Sequence, residues 1–227
     1  MCLLKNIQVG SRDLRSDTDR RHYYPLFLDI TGKECLIIGG GTVAERKAAM
    51  LLKFDASVRV ISPKATKKLI RLADTGRIDL ILRKYRSGDH KNAAIIFACT
   101  DDRETNRLVR ENAATQRIPV NVVDKPEECD FIVPSIIKKG DATIAISTSG
   151  RVPMASKKIR QAIEKIITKD YITYIRITGA IRQYLLKNVP DRTVRRDIMK
   201  LVSAMEMEDV VSNGITGMKK IVDSQIP

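Results

Sequence analysis

Residues 33–54 read KECLIIGGGTVAERKAAMLLKF, and this stretch decides the fold. Glu34 to Ile38 is a short apolar run of strand character, and Gly39-Gly40-Gly41 follows it at once. Beyond the glycines, Val43, Ala44, Ala48, Leu51 and Leu52 recur at helical spacing, which predicts an amphipathic helix. A strand, a glycine turn and a helix in that order give the pattern Gly39-x-Gly41-x-x-Ala44 its meaning. The first glycine permits the tight turn, the second lets the backbone approach a pyrophosphate, and Ala44 keeps the helix close to the sheet. The anion would rest on free N–H groups at the helix start, near Thr42 and Val43.

Outward from this stretch, strand and helix patterns alternate over residues 23–124. SVRVIS (57–62) reads as a strand closed by Pro63, KATKKLIRLAD (64–74) as a helix, and IDLILRKY (78–85) as a short strand. AAIIFACT, ending at Thr100, is the near-continuous apolar run that a parallel strand covered on both faces needs. DDRETNRLVRENAATQ (101–116) is helical, with Asp101 and Asp102 placed as N-caps, and IPVNVVD (118–124) is the next strand. The alternation predicts an α/β fold with a Rossmann-like, doubly wound parallel sheet.

FIVPSII, a KKGD turn and ATIAIST then predict two strands joined by a tight connection within residues 131–148. Helical patterns follow over residues 152–168, 171–187 and 192–207, with Pro190 separating the last two. The expected organisation is a basic leader (1–22), a dinucleotide-binding domain (23–130), a short β segment (131–160) and a helical C-terminal domain (161–227).

The usual fingerprint places an acid about twenty residues on, at the end of the second strand, to hold the ribose hydroxyls. Here that strand ends Arg59-Val60-Ile61-Ser62-Pro63-Lys64 and carries no carboxylate. Ser62 and backbone groups remain to bind the ribose, while Arg59 and Lys64 also suit the 2′-phosphate of NADP. The candidate cofactor positions are Gly39, Gly41, Thr42, Val43, Ser62, Pro63, Lys64 and Thr100.

The chain has 227 residues and a net charge of +14, from 41 Lys and Arg against 27 Asp and Glu. Residues 151–200 alone hold 13 Lys or Arg against 4 Asp or Glu. Such an excess asks for an anionic partner. Aromatics are only 4% and Trp is absent, which argues against base-stacking platforms for single-stranded nucleic acid. There is no apolar run of about 18 residues and no secretory pattern at the N-terminus, so the expected compartment is the cytoplasm. Cys2, Cys35, Cys99 and Cys129 form no CxxC pair, and with only His22 and His90 beside them they suggest no metal site. His90, in the polar stretch RSGDHKN, reads as an exposed loop residue.

Three motifs in register then become specific: GGGTVAERKAAMLL (39–52), CTDDRETN (99–106) and NVVDKPEECDFIVPSII (121–137). Together with the opening YYPLFLDITGK (23–33), whose Pro and apolar strand precede the glycine loop, they make roughly residues 23–160 resemble the precorrin-2 dehydrogenase family. That family includes the N-terminal half of bacterial siroheme synthase and a yeast dehydrogenase–ferrochelatase. The resemblance implies oxidation of precorrin-2 to sirohydrochlorin with NAD as hydride acceptor, a homodimer built through the β segment, and in some members insertion of ferrous iron. It places the family's key aspartate on Asp124 and cofactor contacts on Thr42, Val43, Pro63 and Lys64.

The residues point to Asp124 independently. It ends the run IPVNVV, at the carboxyl end of a parallel strand, where ligands of open α/β sheets bind. A carboxylate there can accept a proton while the cofactor takes the hydride; a simple turn before Lys125-Pro126 is the plainer alternative. By strand alternation Asn121 lies on the other face. Ser147, Thr148, Ser149 and Arg151 offer hydroxyls, N–H groups and a cation to a substrate carboxylate, or cap the helix that follows. An anionic tetrapyrrole as partner explains the glycine loop and the positive charge together, with Lys157, Lys158 and Arg160 as further candidate contacts. A non-catalytic dinucleotide sensor is the competing expectation, and nucleic-acid binding by the basic tail a weaker one.

Overall fold

β1 (Glu34–Ile38), the ECLII run, forms the middle of a five-stranded parallel sheet. The computed structural model describes residues 21–226 and divides into two units between Ile132 and Val133. The expected leader lies almost wholly outside the described residues, as does Cys2. In the first unit, α1 (Thr42–Leu51) leads to β2 (Ser57–Ile61), α2 (Lys67–Asp74) to β3 (Asp79–Ile81), and β4 (Ile95–Ala98) through α3 (Arg103–Thr115) to β5 (Val120–Val122). The strand order is β3-β2-β1-β4-β5, the doubly wound arrangement, and it reverses between β1 and β4.

Strand alternation gives the sheet two apolar faces. Cys35, Ile37, Val58, Val60, Ile95 and Phe97 pack with Ala44, Ala48 and Leu51 of α1 and Leu69 of α2. On the other face, Leu36, Ile38, Ile61, Ile96, Ala98, Val120 and Val122 pack with Val109 and Ala113 of α3. The small residues Ala44 and Ala48 are fully buried, which lets α1 lie close against the strands.

Several expectations need correction. Strand and helix do not alternate throughout residues 23–124. Residues 21–30 have no regular structure, and Tyr24, Leu26, Phe27 and Leu28 are exposed rather than set in a strand. No helix joins β3 to β4. The connection is an irregular loop held by Arg83, whose guanidinium bonds both carboxylate oxygens of Asp89 at 2.7 and 2.8 Å. His90 in this loop is not exposed. Its Nδ1 lies 3.0 Å from the Tyr85 hydroxyl, which also accepts from Asn112 Nδ2 at 3.2 Å. Arg59 is not available to a ligand phosphate either, because it pairs with Glu34 and Asp79 at 2.9 and 2.8 Å.

In the second unit, β6 (Ser135–Lys139) and β7 (Ala142–Ile146) form an antiparallel hairpin. Its turn is Gly140-Asp141 alone, not the four residues KKGD. Gly140, at φ +55, occupies the first central position, where a two-residue hairpin favours glycine, so Lys138 and Lys139 stay within the strand. The Lys139 ammonium donates to the carbonyls of Glu164 and Ile167 at 2.9 and 2.7 Å, closing the end of α4 (Pro153–Ile166).

Beyond it, α5 (Lys169–Asn188), α6 (Arg192–Ala204) and α7 (Met207–Asp223) enclose a separate core of Ile177, Ile181, Leu185, Ile198, Val202, Val210, Met218 and Val222. The third predicted helix therefore stops at Ala204, and α7 was not anticipated. Its sequence carries Gly214 and Gly217, and Gly214 departs from helical geometry at φ +60, which blurs the periodic signal. Among the described residues no helix is long and apolar enough to cross a membrane.

Candidate functional site

Because the strands end level, their following loops converge. Ile38 is in register with Ile61 on one side and Ala98 on the other, and Ala98 with Val122. The loops after β1, β2 and β4 enclose a cavity of about 570 Å³ at the point where strand order reverses. That is the size and location expected of a nucleotide crevice in an open α/β sheet.

All eight candidate cofactor residues line this one cavity: Gly39, Gly41, Thr42 and Val43 from the glycine loop, Ser62, Pro63 and Lys64 from the end of β2, and Thr100 from the end of β4. The loop that holds them is tightly braced. The Gly40 carbonyl accepts from the Thr66 N–H at 2.9 Å, and the Thr66 hydroxyl donates to Glu45 at 2.9 Å. Glu45 also meets Lys68 at 3.2 Å.

The start of α1 has no side-chain cap, and its first bond runs from the Glu45 N–H to the Gly41 carbonyl. The N–H groups ahead of it have no partner within the helix and form the positive end of its dipole. A Cβ built on Gly41 meets nothing within 4 Å, so there is open space where a pyrophosphate must approach. The residues present thus fit a dinucleotide phosphate.

Sequence reasoning missed several contributors. Gly40, the nominally free position of the motif, is the most crowded of the three glycines. Lys84 and Tyr85 reach the rim from the loop after β3, and Tyr85 gave no signal because its role depends on its partners, the buried His90 and the half-buried Asn112. Cys99 also lines the cavity, where burial pushes its thiol up to about 12 and keeps it neutral. Of the two aspartates after β4, only Asp102 caps α3, accepting from the Glu104 and Thr105 N–H groups at 3.0 and 3.3 Å. Thr100 is fixed by Asn106, whose Oδ1 accepts from its hydroxyl at 2.9 Å and whose Nδ2 donates to its carbonyl at 2.8 Å.

The Asp102 carboxyl is held below its ordinary value by the Thr105 hydroxyl and N–H, with the Glu104 N–H and Lys84 assisting. A carboxylate lowered on folding stabilises the fold above its unfolded pKa and loses that contribution as pH falls through the lower folded value. Thermal melts taken from pH 5 toward pH 3 will therefore show the wild type losing more stability than Asp102→Asn, whose amide oxygen still caps but does not titrate.

Asp124 does not line the cavity. It sits in a turn immediately after β5, beside the strand whose end supplies Cys99 to Asp102. The Val123 N–H donates to the Ala98 carbonyl at 3.0 Å, and the Lys125 N–H reaches back to the Val122 carbonyl at 3.4 Å. Asp124 occupies the third place of that turn with φ +59, a conformation rare for a residue with a side chain. Asn121 points away from the turn and donates to the Phe131 carbonyl at 2.9 Å.

Ser147, Thr148, Ser149 and Arg151 fall in the second unit. Thr148 is engaged at the start of α4, with its hydroxyl 3.1 Å from the Val152 carbonyl and 3.0 Å from the Ser156 hydroxyl. Ser147 accepts from the Ser149 N–H at 2.9 Å, and both serines are exposed, as is Arg151. No group of three or more metal-binding side chains occurs among the described residues.

Comparison with known proteins follows the same lines. A family model described as putative NAD(P)-binding matches residues 26–135. The siroheme synthase of Methylococcus capsulatus is 38% identical over 174 residues, covering 77% of this chain and 37% of its own. That of Ruthia magnifica is 33% identical over 208 residues, covering 90% of this chain and 44% of its own. The chain thus spans less than half the length of these curated relatives. A solved structure, SirC, precorrin-2 dehydrogenase, superposes with a TM-score of 0.71 over 89% of this chain and 98% of that one, at 19% identity, which speaks to the shared fold.

Proposed function

This chain belongs to the precorrin-2 dehydrogenase and siroheme synthase N-terminal family, and we propose from that premise that it oxidises precorrin-2 to sirohydrochlorin. A nicotinamide dinucleotide is the cofactor, and NAD is the proposed acceptor. The observation that carries the reading is the convergence of eight candidate cofactor residues on one crevice, with Asp124 in the turn after the strand beside it.

The reaction removes a hydride and a proton from the tetrapyrrole. The bound nicotinamide supplies the hydride acceptor. This chain's own residues do the rest. N–H groups of Thr42 and Val43 hold the pyrophosphate, Ser62 to Lys64 bind the adenosine ribose, and Thr100, fixed by Asn106, lines the opposite wall. Asp124 accepts the proton released from the substrate.

The positive charge of the second unit supports a polycarboxylate substrate, with Ser147, Thr148, Ser149 and Arg151 as proposed contacts. Exposed Val133, Val152, Met154 and Ile159 support residues 131–160 as a homodimer surface, to be read by sedimentation equilibrium.

The direct test follows sirohydrochlorin absorbance with purified chain, precorrin-2 and NAD. Dinucleotide binding without turnover would favour a sensor instead. Ferrous ion added to sirohydrochlorin with and without the chain reports metal insertion in the same series.

The choice of dinucleotide has its own test. Lys64 lines the cavity where the fingerprint acid usually stands, and no ion pair holds it among the described residues. In Lys64→Glu a carboxylate meets the ribose hydroxyls and repels a 2′-phosphate. The ratio of kcat/KM for NAD over NADP is expected to rise about tenfold, the equivalent of one interaction of ~1.4 kcal/mol. An unchanged ratio places the ribose elsewhere.

A further inference from the structure

β5 is an edge strand, and the chain itself covers its outer side. The Asp130 N–H donates to the Val120 carbonyl at 2.8 Å, and the Val120 N–H donates to Asp130 Oδ2 at 3.0 Å. One rung further along, the partner is a thiol. The Val122 N–H donates to Cys129 Sγ at 3.2 Å, and the sulfur lies 3.1 Å from the Val122 carbonyl and 3.3 Å from that of Lys125. Cys129 therefore stands in for a strand residue, accepting from one backbone N–H and donating its single proton to either of two carbonyls.

Those two carbonyls belong to the first and last residues of the turn that carries Asp124. The clamp is itself held. Asn121 Nδ2 lies 3.5 Å from the sulfur, Arg110 pairs with Asp130, and Arg21 donates to the Cys129 carbonyl at 2.8 Å. Cys129 is buried, and burial raises its thiol pKa, so the sulfur keeps the proton that a donor needs. A buried, neutral thiol is poorly suited to nucleophilic or redox chemistry, which leaves its hydrogen bonds as its contribution.

We propose that Cys129 is a positioning residue for Asp124: its thiol ties both ends of the Val122–Lys125 turn and holds the aspartate in its left-handed conformation at the end of β5. This rests on Asp124 being the proton acceptor. Removing the thiol leaves the Val122 N–H on a covered edge without its partner and frees the turn to relax, which moves the carboxylate.

Displacement of a reacting group by about 1 Å costs about 100-fold, so Cys129→Ala is expected to lower kcat by about 10- to 100-fold. Dinucleotide affinity, measured by fluorescence on the same protein, stays within about twofold because no cofactor contact is lost. Cys129→Ser keeps a donor and an acceptor and recovers most of the rate. The deciding measurement is the double variant Cys129→Ala with Asp124→Ala. A residue that acts only through Asp124 makes the double variant no slower than Asp124→Ala alone.

A further loss in the double variant, or full turnover in Cys129→Ala, overturns the proposal. If Cys129→Ala does not fold, Cys129→Val, which fills the space but offers neither donor nor acceptor, and its combination with Asp124→Ala read the same coupling. Undiminished turnover in Asp124→Ala is a different result: it removes Asp124 from the chemistry, and the role of Cys129 falls with it.

Discussion

Gly40→Ala is expected to destroy dinucleotide binding and to lower the thermal midpoint, whereas Gly41→Ala weakens binding with little change in stability. A Cβ on Gly40 would collide with the Lys64 carbonyl oxygen and lie 2.9 Å from Ala65 Cα. Both are backbone atoms of the loop after β2, so no side chain can swing aside. The same loop receives the Gly40 carbonyl through Thr66, and it presents Ser62, Pro63 and Lys64 to the cavity. Relief of the clash must push these two walls of the site apart.

Overpacking a close-fitted site costs about 1–3 kcal/mol, and a clash between backbones belongs at the upper end of that range. In a chain of this size each kcal/mol lowers the midpoint by about 2–4 °C. A Cβ on Gly41 instead enters the space reserved for the ligand, and nothing within 4 Å resists it. Calorimetric titration with NAD and a thermal melt on each variant separate the two effects. Normal binding by Gly40→Ala would mean that the loop after β2 does not form the wall described.

The contrast between the two glycines shows what the sequence could and could not reveal. The motif rule assigns roles to Gly39 and Gly41 by local requirements, a turn and an approach to a phosphate, although the fold also sets Gly39 against the backbone of Cys99. Gly40 is constrained by residues twenty-four positions away, and only the pairing of β1 with β2 brings them together. The parallel sheet was legible because its strands are continuous apolar runs punctuated by Gly, Pro and Asp. The two ends of the long connection from β3 to β4 were not. Its order comes from Arg83 with Asp89 and from His90 with Tyr85, pairs that have no periodicity to detect.

His90 was misread for the same reason. A polar neighbourhood in sequence says little about a ring that finds a phenol as its partner in the interior. The helix α7 escaped notice because Gly214 and Gly217 weaken the pattern on which helix assignment depends. Asp124 is a case between these extremes. Its place at a strand end could be read from IPVNVVD, while its backbone conformation and the thiol that braces it required the fold.

That conformation supplies the second large expectation. Asp124→Asn is expected to reduce kcat by about 10²–10⁴, the range contributed by a positioned general base, without reducing thermal stability or dinucleotide affinity. Asparagine tolerates the left-handed region at least as well as aspartate, so the turn survives while the proton acceptor is lost. Asp124→Gly sharpens the test. At φ +59 a residue with a Cβ bears ~1–2 kcal/mol of backbone strain that glycine does not, partly offset by the greater freedom of glycine in the unfolded chain. Asp124→Gly should therefore match or exceed the wild-type midpoint while losing turnover as completely as Asp124→Asn.

A residue retained only to make a turn before Lys125-Pro126 behaves in the opposite way, since glycine and asparagine both make that turn and turnover is preserved. Melting curves and the sirohydrochlorin assay, run on the same preparations of both variants, distinguish the two cases. Strain held at a strand end, beside a crevice lined by the cofactor positions, is more readily explained by the placement of a carboxylate than by the needs of the chain.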